Sequence, residues 1–127
     1  MGRRKTFEIP GVAHAAPIPL AAQVGNIVAS SALMGVDAST GKLPEDGASQ
    51  VKHLFANTAA LLRAAGLNPG DIVSVSVLLA DNSLRDEINR YWLEWFPDAN
   101  DRPARHTTVH PLPGGMQAQI QFTAVAP

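Results

Sequence analysis

The chain has 127 residues, no cysteine, ten Lys and Arg against eleven Asp and Glu, and a net charge of −1. This length predicts one domain over residues 1–127, and the near-zero charge without a basic stripe argues against nucleic acid as a partner. The lack of cysteine excludes disulfides and thiol nucleophiles. Because no apolar run approaches the ~20 residues of a spanning helix and no signal-peptide core is present, we expect a cytoplasmic protein without a membrane partner.

The first third of the chain is predicted to alternate short strands and turns. Gly25-Asn26 is a two-residue turn signal, which predicts a β-hairpin. Prolines and small residues predict an irregular loop from Pro10 to Pro19. The expected elements are a strand at Thr6–Ile9 within an N-terminal strand-and-loop segment (1–16), hairpin strands at Ala21–Val24 and Ile27–Met34, and a turn region at Asp37–Asp46.

Helices and strands are predicted to alternate in the rest of the chain. Asp46 is a suitable N-cap for an amphipathic helix of about five turns, which ends at Gly66. Asn82 or Ser83 can cap a second helix, whose apolar stripe includes Trp92 and Trp95 and indicates core packing. The remaining strands are expected at Ile72–Ala80, Arg105–His110 and Gln117–Ala126.

The order of these elements predicts an α+β fold in which two helices cover one face of a four- to six-stranded sheet. In Ile72–Ala80, the apolar face is expected to comprise Val73, Val75, Val77 and Leu79. In the last strand, apolar residues alternate with Gln117, Gln119 and Gln121. This uncharged polar face suits either a subunit interface that encloses a wet pocket or an ordinary solvated sheet face.

Arg105 is the main candidate for a functional side chain. It begins a β-branched run after Pro103, and its planar guanidinium is suited to bidentate binding of a carboxylate or phosphate. A surface ion pair is the alternative reading. His106 and His110 are separated by roughly 13 Å on a strand, too far to share a metal ion. No evident general base lies on a late strand near Arg105.

Several motifs follow one another in order along most of the chain. They are Val24-Gly25-Asn26, Ser30-Ser31, Asp37-x-x-Thr40-Gly41-Lys42-Leu43, Asn57, Ala64-Ala65-Gly66, Asn89-x-x-Trp92-x-x-x-Phe96, Arg102-Pro103-Ala104-Arg105 and Leu112-Pro113. Together they resemble the Rid family, the reactive-intermediate deaminases, which also carry the label L-PSP endoribonuclease. The resemblance spans about residues 17 to 126.

The resemblance implies a fold, an assembly and a reaction. The fold is a chorismate-mutase-like α+β domain with a mixed sheet, assembled as a homotrimer with clefts between subunits. The reaction is hydrolysis of 2-enamino or 2-imino acids, such as 2-aminoacrylate, to a 2-keto acid and ammonia, without a metal or organic cofactor. By resemblance, Arg105 clamps the carboxylate of a small-molecule substrate with help from the backbone N–H of Thr107, and Ser31 and Asn89 line or support the pocket.

Three departures from the family pattern leave the substrate open. The stretch from Arg105 to Leu112-Pro113 is one residue shorter than in the family, with His106 and His110 in place of other residues. Gln119 takes the place of a glutamate thought to position or activate water, and an amide can orient water but cannot accept its proton. Ile18 replaces a tyrosine in the pocket wall. Gln119 is therefore expected to act on water, on a strand facing that of Arg105. The alternatives are a 2-aminomuconate-type deaminase and a non-catalytic protein that binds small carboxylates.

Overall fold

The computed structural model describes residues 2–127 and contains, in that range, seven β-strands, two α-helices and three short 3-10 turns. The strands are β1 Lys5–Phe7, β2 Ala21–Val24, β3 Ile27–Ser30, β4 Leu33–Met34, β5 Ile72–Leu79, β6 Ala104–Val109 and β7 Ala118–Val125. The helices are α1 Gly47–Ala64 and α2 Arg85–Trp95. Within the same range, neither helix is long and apolar enough to cross a bilayer.

All seven strands form one mixed sheet with the order β1-β2-β3-β7-β5-β6. Neighbours are antiparallel except β5 and β6, which are parallel and joined through α2, as parallel strands require a crossover. Strand β4 also pairs with β7 and continues the track of β3. The predicted strand Ile27–Met34 is thus divided in two, which raises the strand count above the expected four to six.

The two helices cover one face of the sheet, as the sequence predicts. In β7, the helix-facing residues Ala118, Ile120, Phe122 and Ala124 are at most 3% exposed, whereas the glutamines between them face the other side. Phe55 of α1 packs against Tyr91 and Trp95 of α2, with ring centroids 5.0 and 5.2 Å apart. The prediction that the tryptophans of α2 pack on the core is confirmed.

The predicted apolar face of β5 is wrong at its first residues. Ile72 is buried, whereas Val73 is 53% exposed. The pairing of β5 with β7 has a register shift between Ile72 and Ser74. One extra residue in a strand moves the side chains before it to the opposite face, so the predicted alternation holds only from Val75 onward.

Local signals locate the hairpin and the start of α1 correctly, but not the start of α2. Gly25 has a positive φ of 60° in the hairpin turn, and Asp46 accepts a hydrogen bond from the Ser49 N–H at 2.8 Å. Asp81, rather than Asn82 or Ser83, caps the 3-10 turn that precedes α2. Helix α2 itself begins at Arg85 without a side-chain cap.

Gln50 is a buried polar residue that joins α1 to two loops. It is 1% exposed, and its Nε2 donates to the carbonyl oxygens of Pro44 and Gly115 at 2.7 and 3.1 Å. Its Oε1 accepts from the Gln117 N–H at 2.8 Å. The side chain therefore fixes the approach to β7 by satisfying backbone groups that would otherwise be buried without partners.

We predict that Gln50→Ala lowers the free energy of unfolding by about 2–4 kcal/mol, because it leaves three backbone groups unsatisfied. Thermal and urea unfolding would measure the loss. Gln23→Ala is the matched control, since Gln23 donates to the Gly25 carbonyl in an exposed setting, and its effect should stay within about 0.5 kcal/mol. Equal effects of the two substitutions would refute the structural role of Gln50.

Candidate functional site

Arg105 projects from the edge strand β6 toward helix α2. In the parallel pairing, Arg105 is the partner of Val75 and Thr107 is the partner of Val77. Both valines are buried on the helix face of the sheet. Because cross-strand partners point to the same side of a sheet, Arg105 and Thr107 also lie on the helix side.

The Arg105 guanidinium is held by three neighbours, all of them uncharged. Its Nε donates to the Thr107 hydroxyl oxygen at 3.1 Å, and its Nη2 donates to Oδ1 of Asn89 at 2.7 Å. Its Cζ lies 4.9 Å from the centroid of the Trp92 ring, a distance typical of a cation–π contact. These contacts fix the orientation of the guanidinium without neutralising its charge.

The guanidinium retains hydrogen-bonding capacity and a positive charge. Two of the five N–H groups of an arginine side chain are engaged, which leaves three for a ligand. Over residues 2–127, the ion-pair contacts are Arg90–Glu87 and His53–Asp37, and neither involves Arg105. Partial burial, and then the positive charge of Arg85, lower the pKa of Arg105 from its ordinary value. A bound anion would offset both effects.

The structure brings together Arg105, Thr107 and Asn89 among the residues singled out in the sequence. Asn89 lies on α2 and supports Arg105 through its side-chain oxygen. Thr107 contacts Arg105 through its hydroxyl. The three residues therefore form one cluster at the edge of the sheet, which we call the Arg105 cluster.

Gln119 lies on the opposite face of the sheet from the Arg105 cluster. It pairs with Leu78 and Met34, and its Nε2 donates to the sulfur of Met116 at 3.3 Å. The expectation that its strand faces that of Arg105 is wrong, because β5 lies between β6 and β7. A side chain on either face cannot reach a ligand on the other within one chain.

Ser31 and Ile18 are also remote from Arg105 in the same chain. The Ser31 hydroxyl donates to the carbonyl oxygen of Pro19 at 2.8 Å, and Ile18 is 46% exposed in the adjoining loop. Ser31 directly follows β3, which lies three strand positions from β6 in the sheet. This separation is about 14 Å at ordinary strand spacing. These residues can meet Arg105 around one ligand only if different copies of the chain contribute them.

The face of the sheet away from the helices carries neutral hydrogen-bonding groups. Ser74 and Ser76 of β5 and Gln121 and Thr123 of β7 line a shallow cavity of about 280 Å³ there. Over residues 2–127, no group of three or more His, Asp or Glu side chains is arranged to hold a metal ion. His106 and His110 are both exposed.

The sequence reasoning missed two members of the surroundings of Arg105. Trp92 was assigned to the core alone, although its ring also underlies the guanidinium. Arg85 is not among the residues that the sequence singles out, although its positive charge lowers the pKa of Arg105. The spacing of Arg85, Asn89 and Trp92, at i, i+4 and i+7, places all three on one face of a helix and was the signal available.

Comparison with known proteins identifies a family for most of the chain. The family model described as Endoribonuclease L-PSP matches residues 12–126. A RutC family protein of Aquifex aeolicus is 34% identical over 116 residues, which cover 87% of this chain and 93% of that protein. A 2-iminobutanoate/2-iminopropanoate deaminase of Escherichia coli is 33% identical over 104 residues, which cover 80% of this chain and 81% of that protein.

Solved structures share the same fold. The crystal structure of Escherichia coli TdcF with bound serine has a TM-score of 0.84 and 27% sequence identity to this chain. The match covers 97% of this chain and 99% of that one.

We predict that Asn89→Asp stabilises the protein by about 1 kcal/mol at neutral pH, because it places a carboxylate beside an unneutralised guanidinium. The pKa of the introduced carboxyl should fall below the ordinary value of about 3.9. The stabilisation is then present above pH ~4 and is lost as the pH falls through the lowered pKa. Melting temperatures from pH 2 to pH 7, compared with the wild type, would measure it.

Asn26→Asp is the control for this substitution, since Asn26 lies in an exposed turn, and its effect on melting temperature should be small throughout. A destabilised Asn89→Asp variant at neutral pH would contradict the description of Arg105 as a cation without a counter-charge.

Proposed function

The chain belongs to the endoribonuclease L-PSP family, the Rid family, and on this basis we propose that it is a hydrolytic deaminase of 2-imino and 2-enamino acids. Relatives named 2-iminobutanoate/2-iminopropanoate deaminase support this class of activity. The observation that carries the proposal is the partly buried Arg105 guanidinium, which is oriented by neutral groups and has no ion pair within residues 2–127.

The role proposed for Arg105 is to bind the substrate carboxylate. Thr107 engages its Nε and Asn89 engages one N–H of its Nη2, so the donors available to a ligand are the remaining N–H groups of Nη1 and Nη2. Two parallel charge-assisted hydrogen bonds from a guanidinium fit the geometry of a carboxylate. Trp92 limits access of water to one face of the guanidinium, which strengthens its interaction with an anion.

The reaction needs little from the protein beyond binding and orientation. An enamine such as 2-aminoacrylate tautomerises to the imine, and water then adds to C2 to form a carbinolamine. A proton moves to nitrogen, the C–N bond breaks, and ammonia and the 2-keto acid leave. Holding the carboxylate and one water in a fixed relation supplies a proximity effect, and the cationic site favours the anionic substrate.

We infer that the working site lies between copies of the chain in a homotrimer. Within one chain, Gln119, Ser31 and Ile18 are separated from Arg105 by the sheet itself or by about 14 Å. The edge of β6 and the neutral polar face of the sheet offer surfaces for a neighbouring copy. In this arrangement, Gln119 of a neighbouring subunit would orient the attacking water through its amide oxygen.

A second candidate function is favoured by one observation, the amide at position 119. Without a proton acceptor there, the cleft has the means to bind a 2-keto acid but weaker means to activate water. A non-catalytic carboxylate-binding protein would show affinity for 2-ketobutyrate and no acceleration of imine hydrolysis. The net charge of −1 argues against ribonuclease activity, which the family label suggests.

We predict that Arg105→Ala lowers kcat/KM for 2-aminoacrylate hydrolysis by roughly 100-fold, because it removes about 3 kcal/mol of charge-assisted hydrogen bonding. The substrate is generated in situ by a serine dehydratase, and ammonia release above the uncatalysed rate is measured. Arg105→Lys retains the positive charge but loses the planar pair of donors, so its kcat/KM should lie between those of the wild type and Arg105→Ala.

Arg63→Ala, at an exposed position of α1, controls for a general loss of positive charge. Unchanged acceleration by the Arg105→Ala variant would remove Arg105 from the mechanism.

We predict that Gln119→Glu raises the rate of ammonia release by about tenfold or more, because a carboxylate can accept the proton of the attacking water. The same coupled assay measures it, with Gln121→Glu as the matched control on β7. A fall in rate specific to Gln119→Glu would show that the amide itself serves a different reaction or ligand.

A further inference from the structure

A second arginine lies on the same face of α2 as the residues that hold Arg105. Arg85 precedes Asn89 by four residues and Trp92 by seven, so the three side chains follow one side of the helix. Asn89 contacts the Arg105 guanidinium at 2.7 Å, and Trp92 lies beneath it at 4.9 Å. Arg85 is thus one helical turn away from the Arg105 cluster, with about 5–6 Å between the Cβ atoms of positions 85 and 89.

Arg85 also lacks an acidic partner. Its Nε donates to Oδ1 of Asn82 at 3.0 Å, which orients the side chain and leaves its terminal Nη groups for other acceptors. Within the described residues, no carboxylate is close enough to Arg85 for an ion pair. Of the two acidic residues in the first turn of α2, Glu87 pairs with Arg90 at 2.9 Å, and Asp86 lies about 100° around the helix from Arg85.

The spacing of Arg85 and Asn89 on α2, together with the hydrogen bond from Arg105 to Asn89, places the positive charge of Arg85 on the same side of the helix as the Arg105 guanidinium. The positive charge of Arg85 is the second cause, after burial, of the lowered pKa of Arg105. Two like charges held near each other without an intervening anion destabilise the free protein, and a ligand with two anionic groups relieves the repulsion. A ligand with a single carboxylate would neutralise only one of the two cations.

We propose that Arg85 and Arg105 form a two-point anion site and that the preferred substrates are 2-imino acids with a second carboxylate on the side chain. The hydrolysis of such substrates rests on the proposed deaminase function, whereas the binding of a dicarboxylate by the two arginines does not. Arg105 binds the carboxylate next to C2, and Arg85 binds the distal one. A four- or five-carbon dicarboxylate, such as 2-iminosuccinate or 2-iminoglutarate, suits a separation of one helical turn. The steps of hydrolysis at C2 are the same as for a monocarboxylate imine, since the two substrates differ only in the distal carboxylate.

The test compares one-carboxylate and two-carboxylate imines in the wild type and in Arg85→Gln. An amino-acid oxidase generates the imines in situ from 2-aminobutyrate and from glutamate, and catalysed hydrolysis is followed by loss of the imine. We expect Arg85→Gln to lower kcat/KM for the dicarboxylate by about tenfold or more. For the monocarboxylate, the decrease should be within about threefold, because only a long-range attraction is lost.

Arg90→Gln is the matched control on α2, since Arg90 is engaged with Glu87 and with the Tyr91 ring. Its selectivity between the two substrates should equal that of the wild type. Equal losses on both substrates in Arg85→Gln, or no loss on the dicarboxylate, would overturn the two-point site while the deaminase function stands.

Calorimetry with the product analogues 2-oxoglutarate and 2-ketobutyrate separates the two proposals. Tighter binding of 2-oxoglutarate that depends on Arg85, in a protein that hydrolyses neither imine, would support the two-point site and overturn the deaminase function. Equal affinities that do not respond to Arg85→Gln would overturn the two-point site, whatever the catalytic result.

Discussion

The site depends on one physical constraint, a guanidinium that is partly buried and has no ion pair with any of the residues that the structure describes. Asn89 and Thr107 satisfy two of its donors with neutral oxygens, and Trp92 supports it from one face. A carboxylate in place of either oxygen would stabilise the free protein but would compete with the ligand. In this arrangement, partial burial of the guanidinium is unfavourable in the free protein. The charge of a bound anion offsets that cost, so the fold itself favours anion binding.

The topology determines what this guanidinium can act with. Because Arg105 pairs with the buried Val75 and Gln119 pairs with Leu78, Arg105 points toward α2, while Gln119 points to the opposite side of the same sheet. A single chain therefore contains all the proposed groups but cannot assemble them around one ligand. Catalysis by these groups requires association of copies, and the neutral polar face of the sheet is the surface suited to contact with other copies.

Local features of the fold could be predicted from the sequence, whereas relations across the sheet could not. The Asp46 cap, the Gly25 turn and the alternation of β7 depend on neighbouring residues, and all three were predicted correctly. Ile72 and Val73 are both apolar and β-branched, so either could face the core. The alternation of apolar and polar residues therefore does not reveal the register shift beside them. The opposite facing of Arg105 and Gln119 follows from the registers in which their two strands pair with β5, since Arg105 pairs with Val75 and Gln119 with Leu78. Residue spacing along the chain does not encode these registers.

The most direct test of the account is a crystal structure of the protein with a bound 2-keto acid. The account predicts that the ligand carboxylate accepts two hydrogen bonds from Arg105, at about 2.7–2.9 Å, and that β7 of a neighbouring copy lies across the ligand. A ligand bound away from Arg105, or a site completed within one chain, would contradict it.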